Sequence, residues 1–245
     1  MKIKSFGILS GNALKIIAAL SMLIDHIGVI FFPQMKMFRI IGRIALPIFS
    51  FMIAEGARYT RNKARYFFMV FGLASVCQLV YFLYDGDTYM SILVTFSLSI
   101  LTVYALQFFE ESLFSFEASV LRKIFSCLTF ISVVSAVYYL NTILRIDYGF
   151  LGCMLPVFAS VFHAPKNCNV EFLKKLDIIP VHILMLSLGM ICLAAGAGRI
   201  QYWSLLALPF LLLYSGKRGK ANMKYFFYIF YPAHLLILEG INMLI

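Results

Sequence analysis

Charge is what this chain has least of. Only 13% of its residues are Asp, Glu, Lys or Arg, while 62% are hydrophobic and the mean hydropathy is +0.90. Ordinary soluble domains carry about 25% charge. The scarcity excludes a soluble enzyme with one anchor and predicts an all-α fold, a polytopic transmembrane helical bundle. Acidic residues are the scarcer sign: 11 against 21 lysines and arginines, a net charge of +10. In a membrane protein such an excess marks basic cytoplasmic loops, so no nucleic-acid partner is expected. The five cysteines (Cys77, Cys127, Cys153, Cys168, Cys192) are scattered, with no CxxC pair. Neither a disulfide framework nor a metal site is expected from them. There is no P-loop, no dinucleotide fingerprint and no zinc motif, which excludes soluble-type nucleotide chemistry. Met1-Lys2-Ile3-Lys4 is basic, but the span that follows lacks a clear small-residue cleavage site, so no cleavable signal peptide is expected.

What is present is a series of long apolar runs. About nine can be marked, near 13–32, 37–56, 66–84, 90–109, 123–141, 146–163, 178–196, 199–215 and 224–243. The eighth is short enough to be tilted or re-entrant. They are continuous rather than alternating, so a membrane β-barrel is excluded. No internal repeat or long linker interrupts them, and residues 1–245 read as a single transmembrane domain. The loops alternate in charge. One side gathers Lys2, Lys4, Arg58, Arg61, Lys63, Arg65, Arg122, Lys123, Lys166, Lys174, Lys175, Lys217, Arg218, Lys220 and Lys224; the other has few cations and the acidic turn Asp85-Gly86-Asp87. The positive-inside rule then places the N-terminus in the cytoplasm and the C-terminus outside.

Against this background Asp25-His26 stands out, because both lie inside the first run. An ionisable group at that depth costs roughly 2.5 kcal/mol or more and ordinarily faces a polar cavity with a partner. Arg39 and Arg43 open the next run, four residues apart and on one helix face. His234 and Glu239 in the last run, and Asp147 with Tyr148 in the sixth, come to the same outer half of the membrane. Neighbours in sequence point ~100° apart on a helix. Asp25 is therefore assigned to an arginine and His26 to a reacting group, where neutral imidazole is a competent general base. Arg43 is suited to stabilising an oxyanion. Bland readings stand beside these: Arg39 snorkelling to headgroups, Asp25 as a structural counter-ion, His26 and His234 as core histidines. His163, His182 and Glu55 lie near inner ends, where interfacial roles are the default. The cationic loop Arg58, Arg61, Lys63 and Arg65 fits either phosphate binding or anionic lipid.

The segments LKIIAALSMLIDHIG, FRIIGRIALPIFSFMIAEGARYTRN, LVTFSLSILTVYAL, DYGFLGCMLPVF and FYIFYPAHLLIL resemble the TraX family, over nearly the whole chain from Leu14 to Leu238. TraX is associated with N-terminal acetylation of conjugative pilin, and is similar to the wider membrane acyltransferases, including acyltransferase-3 enzymes that acetylate surface glycans. The resemblance implies an integral inner-membrane acetyltransferase taking acetyl-CoA as acyl donor, with no metal. The acceptor would be a pilin peptide or a glycan. It matches His26 to the family histidine and Arg39 and Arg43 to the arginines, with Asp25 beside them. His234, Asp147 and Glu55 are secondary candidates. Arg58, Arg61, Lys63 and Arg65 would hold the acyl-CoA phosphates. Two rival readings remain at this point: a proton-coupled transporter or flippase, because intramembrane Asp, His and Arg also mark ion paths, and a structural subunit of a conjugation or secretion apparatus.

Overall fold

The computed structural model describes residues 7–86, 88–166, 168–221 and 223–244. Lys2, Lys4 and Asp87 of the charge pattern lie outside them. The helices, in chain order, are α1 (Gly11–Phe31), α2 (Lys36–Gly42), α3 (Ala45–Tyr59), α4 (Lys63–Asp85), α5 (Ile92–Leu113), α6 (Val120–Ile143), α7 (Gly149–Phe158), α8 (Glu171–Leu176) and α9 (Ile179–Ala197). A 3₁₀ helix (Arg199–Ala207), α10 (Leu208–Leu212) and α11 (Lys224–Asn242) complete the order. No strand occurs among the described residues, so the helical membrane bundle holds.

The count of nine spans is approximate. Among the described residues six stretches are long and apolar enough to cross a membrane: α1, α2 continued by α3, α4, α5, α6 and α9. The run at 146–163 is helical only over the ten residues of α7, about 15 Å; Tyr148 just before it and Gly149 at its first position take left-handed backbone (φ 58° and 60°). The run at 199–215, read from sequence as a short span, is instead the 3₁₀ helix and the five residues of α10. Gly198, at φ 99°, ends α9, and Pro209 enters α10 at a position where its missing N–H costs nothing. Residues 224–243 form α11, with Pro232 inside it.

The chain divides into two compact units, residues 1–52 with 190–245, and residues 53–189; the divisions fall within α3 and α9. In the first unit α1 is started by Ser10, whose Oγ accepts from the Ala13 N–H at 3.2 Å. Its first N–H groups are satisfied from far along the chain: Gly11 donates to the Lys217 carbonyl at 2.8 Å and Asn12 to the Arg218 carbonyl at 3.0 Å. A short parallel bridge between Leu9 and Tyr214 holds the same junction. Two glycines let α1 and α2 approach. A Cβ on Gly28 would lie 2.2 Å from Phe38 Cβ, and one on Gly42 would lie 2.2 Å from Asp25 Oδ1. The Ser21 hydroxyl donates across this seam to the Ile41 carbonyl. Leu14, Ala18, Ile48, Phe51 and Leu211 are fully or almost fully buried in this unit.

The second unit is built on α5, α6 and α7, with Val103, Leu106, Val137, Cys153, Met154 and Val157 at its core. Several buried hydroxyls of α5 are satisfied: Ser97 and Thr102 bond the carbonyl four residues back, and Ser99 bonds both Thr95 and Cys153 carbonyls. Small hydroxyl residues of this kind allow close helix contact inside a bilayer without orphaned polar groups. The outward faces are apolar, as with Leu121, Phe125, Leu128 and Ile131 on α6. In water such a surface would aggregate; against lipid it is the ordinary exterior.

Candidate functional site

The first unit brings Asp25, His26, Arg39, Arg43 and His234 together. Asp25 on α1 accepts from Arg39 Nη1 at 2.8 Å and from Arg43 Nη2 at 3.2 Å. Arg43 is buried. Its Nε donates to the Arg39 carbonyl at 3.3 Å and its Nη1 to Gln201 Oε1 at 3.2 Å. Gln201, on the 3₁₀ helix, is itself 2% exposed. Sequence reading did not single it out; its only signal was an amide standing inside an apolar run. Arg39 is the more open of the two guanidiniums, with 36% of its side chain exposed against 8% for Arg43.

The imidazoles are oriented by their own helices. His26 Nδ1 lies 2.9 Å from the Met22 carbonyl and His234 Nδ1 lies 2.8 Å from the Phe230 carbonyl, each four residues back. A carbonyl can only accept, so in the neutral rings both Nδ1 atoms carry hydrogen and both Nε2 atoms carry the lone pair. His234 Nε2 is directed at His26 Nδ1, 3.3 Å away, with the ring centroids 5.0 Å apart. One imidazole therefore offers a lone pair to the N–H of the other. The remaining basic atom of that pair is His26 Nε2. His234 is buried and backed by Phe230, whose ring stacks on it at 5.0 Å.

The second unit holds a different cluster. Arg58 clamps Asp177 with two bonds, Nη1 to Oδ1 at 2.7 Å and Nη2 to Oδ2 at 2.5 Å. His182 Nε2 contacts Asp177 Oδ1 at 2.9 Å, and the Ala164 N–H donates to Oδ2 at 3.3 Å. Burial alone would raise the Asp177 carboxyl, but hydrogen bonds from His182 and Arg58 outweigh it and hold the group well below the usual carboxylate range. His163 packs edge-on to His182 with ring centroids 4.3 Å apart. The potential ligand atoms of His163, Asp177 and His182 lie within 4.8 Å of one another. Their chemistry is nevertheless that of an ion-pair hub: both carboxylate oxygens are already taken by donors, and a guanidinium sits where a cation would bind.

Apart from Glu239, which lies in the first unit, the other candidate residues named from sequence are also in this unit. Arg61, Lys63 and Arg65 are exposed around the start of α4, where Asn62 Oδ1 caps the helix by accepting from the Arg65 N–H at 2.8 Å. Lys63 Nζ lies 5.2 Å over the Tyr104 ring. Asp147 Oδ1 accepts from Tyr89 at 2.6 Å, and the Asp147 carbonyl accepts from Thr95. Glu55 is buried in α3. His163 and His182 are likewise buried, at 6% and 1% exposure.

A family model described as TraX protein matches residues 10–242. Uncharacterized protein RP591 of Rickettsia prowazekii (strain Madrid E) is 29% identical over 157 residues, which is 64% of this chain and 57% of that protein. The chain thus spans little more than half the length of that relative. The probable fimbrial assembly protein FimC, serogroup H1, of Dichelobacter nodosus is 24% identical over 252 residues, 96% of each chain. No solved structure gives a significant match.

Proposed function

The chain belongs to the TraX family, and from that premise we propose that it is an inner-membrane acetyltransferase, with its N-terminus in the cytoplasm, that uses acetyl-CoA and takes His26 as its general base. The observation that carries this reading is the His26–His234 pair. Two helix carbonyls set both tautomers, which leaves the lone pair of His26 Nε2 as the basic site of the pair. In the reaction, an acceptor amine or hydroxyl loses its proton to His26 Nε2 as it attacks the thioester carbonyl. The new N–C or O–C bond forms, the C–S bond breaks, and the proton passes to the departing CoA sulfur. The N–H of the resulting imidazolium is received by the Met22 carbonyl and His234 Nε2.

Charge developing on the carbonyl oxygen is stabilised by the neighbouring guanidiniums. Arg39 is better suited than Arg43, because Arg43 commits donors on Nε, Nη1 and Nη2 to Arg39, Gln201 and Asp25. Asp25 holds the two guanidiniums side by side. The relative named as a probable fimbrial assembly protein favours an acceptor belonging to a pilus or fimbria, such as a subunit N-terminus. That same name supports a second reading, a role in pilus assembly without catalysis. Purified protein incubated with radiolabelled acetyl-CoA separates them. Acetyl transfer to a pilin peptide or glycan, with matching release of free CoA thiol, is the expected result. Neither transfer nor thiol release in folded protein overturns the enzymatic reading and leaves the assembly role.

A further inference from the structure

The 3₁₀ helix beside Arg43 is unusual both in its length and in what it buries. It runs for nine residues, Arg199–Ala207, where stretches beyond three or four residues are uncommon. A 3₁₀ helix has three residues per turn, so side chains three apart lie directly above one another. The residues it buries are Gln201, Ser204 and Ala207, which form one such row. Two of the three are polar, and neither of these is fully satisfied. Gln201 Oε1 accepts from Arg43 Nη1 at 3.2 Å. Its Nε2 is sealed from solvent without a hydrogen-bond partner among the described residues, and so is Ser204 Oγ. Buried polar atoms are ordinarily paired, and leaving one unpaired is costly. An alanine at position 204 would avoid that cost outright.

Arg43 settles which end of the Gln201 amide is free. A guanidinium has only donors, so the amide oxygen faces it and the –NH₂ group is left to face elsewhere. The bond from a cation also draws electron density toward that oxygen, which strengthens the opposite N–H as a donor. Arg43 in turn shares Asp25 with Arg39, and Asp25 precedes His26 on α1. The unpaired donor thus stands at the edge of the candidate site. The row also has a direction. It begins just after Gly198 at the end of α9, and beyond α10 the chain reaches Tyr214, which bridges Leu9 just before α1. Along the chain, Ser204 lies between Gln201 and that junction, about 6 Å down the row from Gln201.

We propose that Gln201 is a catalytic residue of the acyl-transfer site: its Nε2–H donates to the thioester carbonyl oxygen as that oxygen gains charge, and Ser204, one turn on, hydrogen-bonds the adjoining amide of the donor's arm. The inference rests on the acetyltransferase reading and deepens it. The bonds made and broken are those already given, and the Gln201 hydrogen bond adds no proton transfer. Arg43 acts through Gln201, orienting and polarising the amide while its own donors stay committed. A donor entering from the end where α1 begins meets Ser204 before Gln201. Side-chain amides aimed at a developing oxyanion act strongly where water is excluded, and the sealed Nε2 meets that condition.

Gln201→Glu separates this role from a structural one. It is isosteric, keeps an oxygen for Arg43 and removes the N–H. The full chain in phosphatidylcholine nanodiscs is assayed for kcat, KM and melting temperature, and calorimetry compares acetyl-CoA with CoA. The expected result is a fall in kcat of about 10²–10³-fold, the usual worth of one oxyanion donor, with KM changed little and the melting temperature kept or raised. Ser204→Ala should raise KM several-fold while also raising the melting temperature. The parent chain should bind acetyl-CoA several-fold more tightly than CoA, in the range of one neutral hydrogen bond, and Gln201→Glu should abolish that preference. Gln201→Met, which lacks both ends of the amide, gives the same readout of preference where the Glu variant does not fold. Unchanged kcat and unchanged preference in folded Gln201→Glu overturn the proposal and leave the amide as a brace for Arg43. The two readings fail separately. A chain that prefers acetyl-CoA through Gln201 but transfers nothing loses the acetyltransferase reading alone. A chain that transfers normally as Gln201→Glu loses this inference alone. Binding of neither compound, with no transfer, overturns both.

Discussion

His234 Nε2 faces His26 Nδ1 across 3.3 Å, joining two helices whose sequence positions are 208 residues apart. Each ring is held by a carbonyl on its own helix, so the pair is preorganised before any substrate enters. Preorganised donors and acceptors contribute to catalysis because they need no rearrangement as charge develops.

The first consequence concerns His26. His26→Gln keeps a polar side chain able to hydrogen-bond Met22 but has no basic nitrogen. Turnover should fall by about 10²–10⁴-fold, the usual worth of a positioned base. Membrane insertion, melting temperature and CoA affinity should stay close to those of the parent chain. Near-normal turnover in a folded Gln variant would remove His26 as the base.

In the proposed mechanism His234 acts through His26 rather than on substrate. His234→Gln should lower kcat roughly tenfold, the worth of about one hydrogen bond to a developing charge, with KM unchanged. The decisive measurement is the double variant. If His234 works only through the imidazole of position 26, His26→Gln with His234→Gln is no slower than His26→Gln alone. Independent, multiplicative losses would make His234 a separate structural element.

Much of this arrangement was legible in the chain, and the reason is contrast. Asp25, His26, Arg43 and His234 stand in otherwise apolar runs, so the cost of burying them marks them out. Gln201 and Asp177 were not legible because they lie near the ends of runs, where a polar side chain meets water and needs no explanation. On the fold, continuous hydropathy located the long helices correctly but could not distinguish helix from other buried backbone. Residues 199–215 are as apolar as a span, yet Gly198 and Pro209 divide them into a 3₁₀ helix and one short α-helix. The break between α2 and α3 at Arg43-Ile44 lies between Gly42 and Pro47, inside what reads as one apolar run, and coincides with the ion pair that holds Arg43.

The Asp25 carboxylate is the only described counter-ion of two guanidiniums, one of them buried. Asp25→Asn should therefore destabilise the chain by roughly 3–5 kcal/mol, since removing one partner leaves buried charge uncompensated. The effect should be partly reversed by also replacing Arg43 with Met. Gln201→Leu should cost less, roughly 1–3 kcal/mol, for the one donor it leaves unmet. Thermal melts in one detergent rank the three. An Asp25→Asn variant as stable as the parent would show that the guanidiniums find other acceptors.

The start of α1 bonds the backbone shortly before α11, and further along both helices His26 meets His234, so α1 and α11 run parallel, which makes a topological prediction. Gly11 and Asn12 bond the backbone of Lys217 and Arg218, so the start of α1 and the Lys217–Arg218 segment are expected on one side of the membrane, with α11 expected to carry the chain to the other. A reporter fused after residue 245 should read outside, and one inserted at 216–220 should read cytoplasm, given the basic residues there. Both reporting the cytoplasm would mean that α11 does not cross, and the common depth of His26 and His234 would need another account.

Arg58 and its neighbours allow a last discrimination, because the structure gives four cations of one loop different tasks. Arg58 is spent on Asp177 in a two-bond clamp with little exposure, whereas Arg61, Lys63 and Arg65 are open to solvent. Arg58→Ala should chiefly lower stability, because it leaves the Asp177 carboxylate with His182 and one backbone N–H as its described donors. Neutralising Arg61, Lys63 and Arg65 together should leave the melting temperature nearly unchanged, since exposed charges contribute little. If this loop binds acyl-CoA phosphates, the triple variant raises KM for acetyl-CoA while Arg58→Ala, in the fraction that folds, does so only weakly. If the loop serves only to orient the chain in the membrane, KM stays constant in every correctly inserted variant. The two results are separable in one set of membranes, by scoring orientation with a protease-accessible tag before measuring KM.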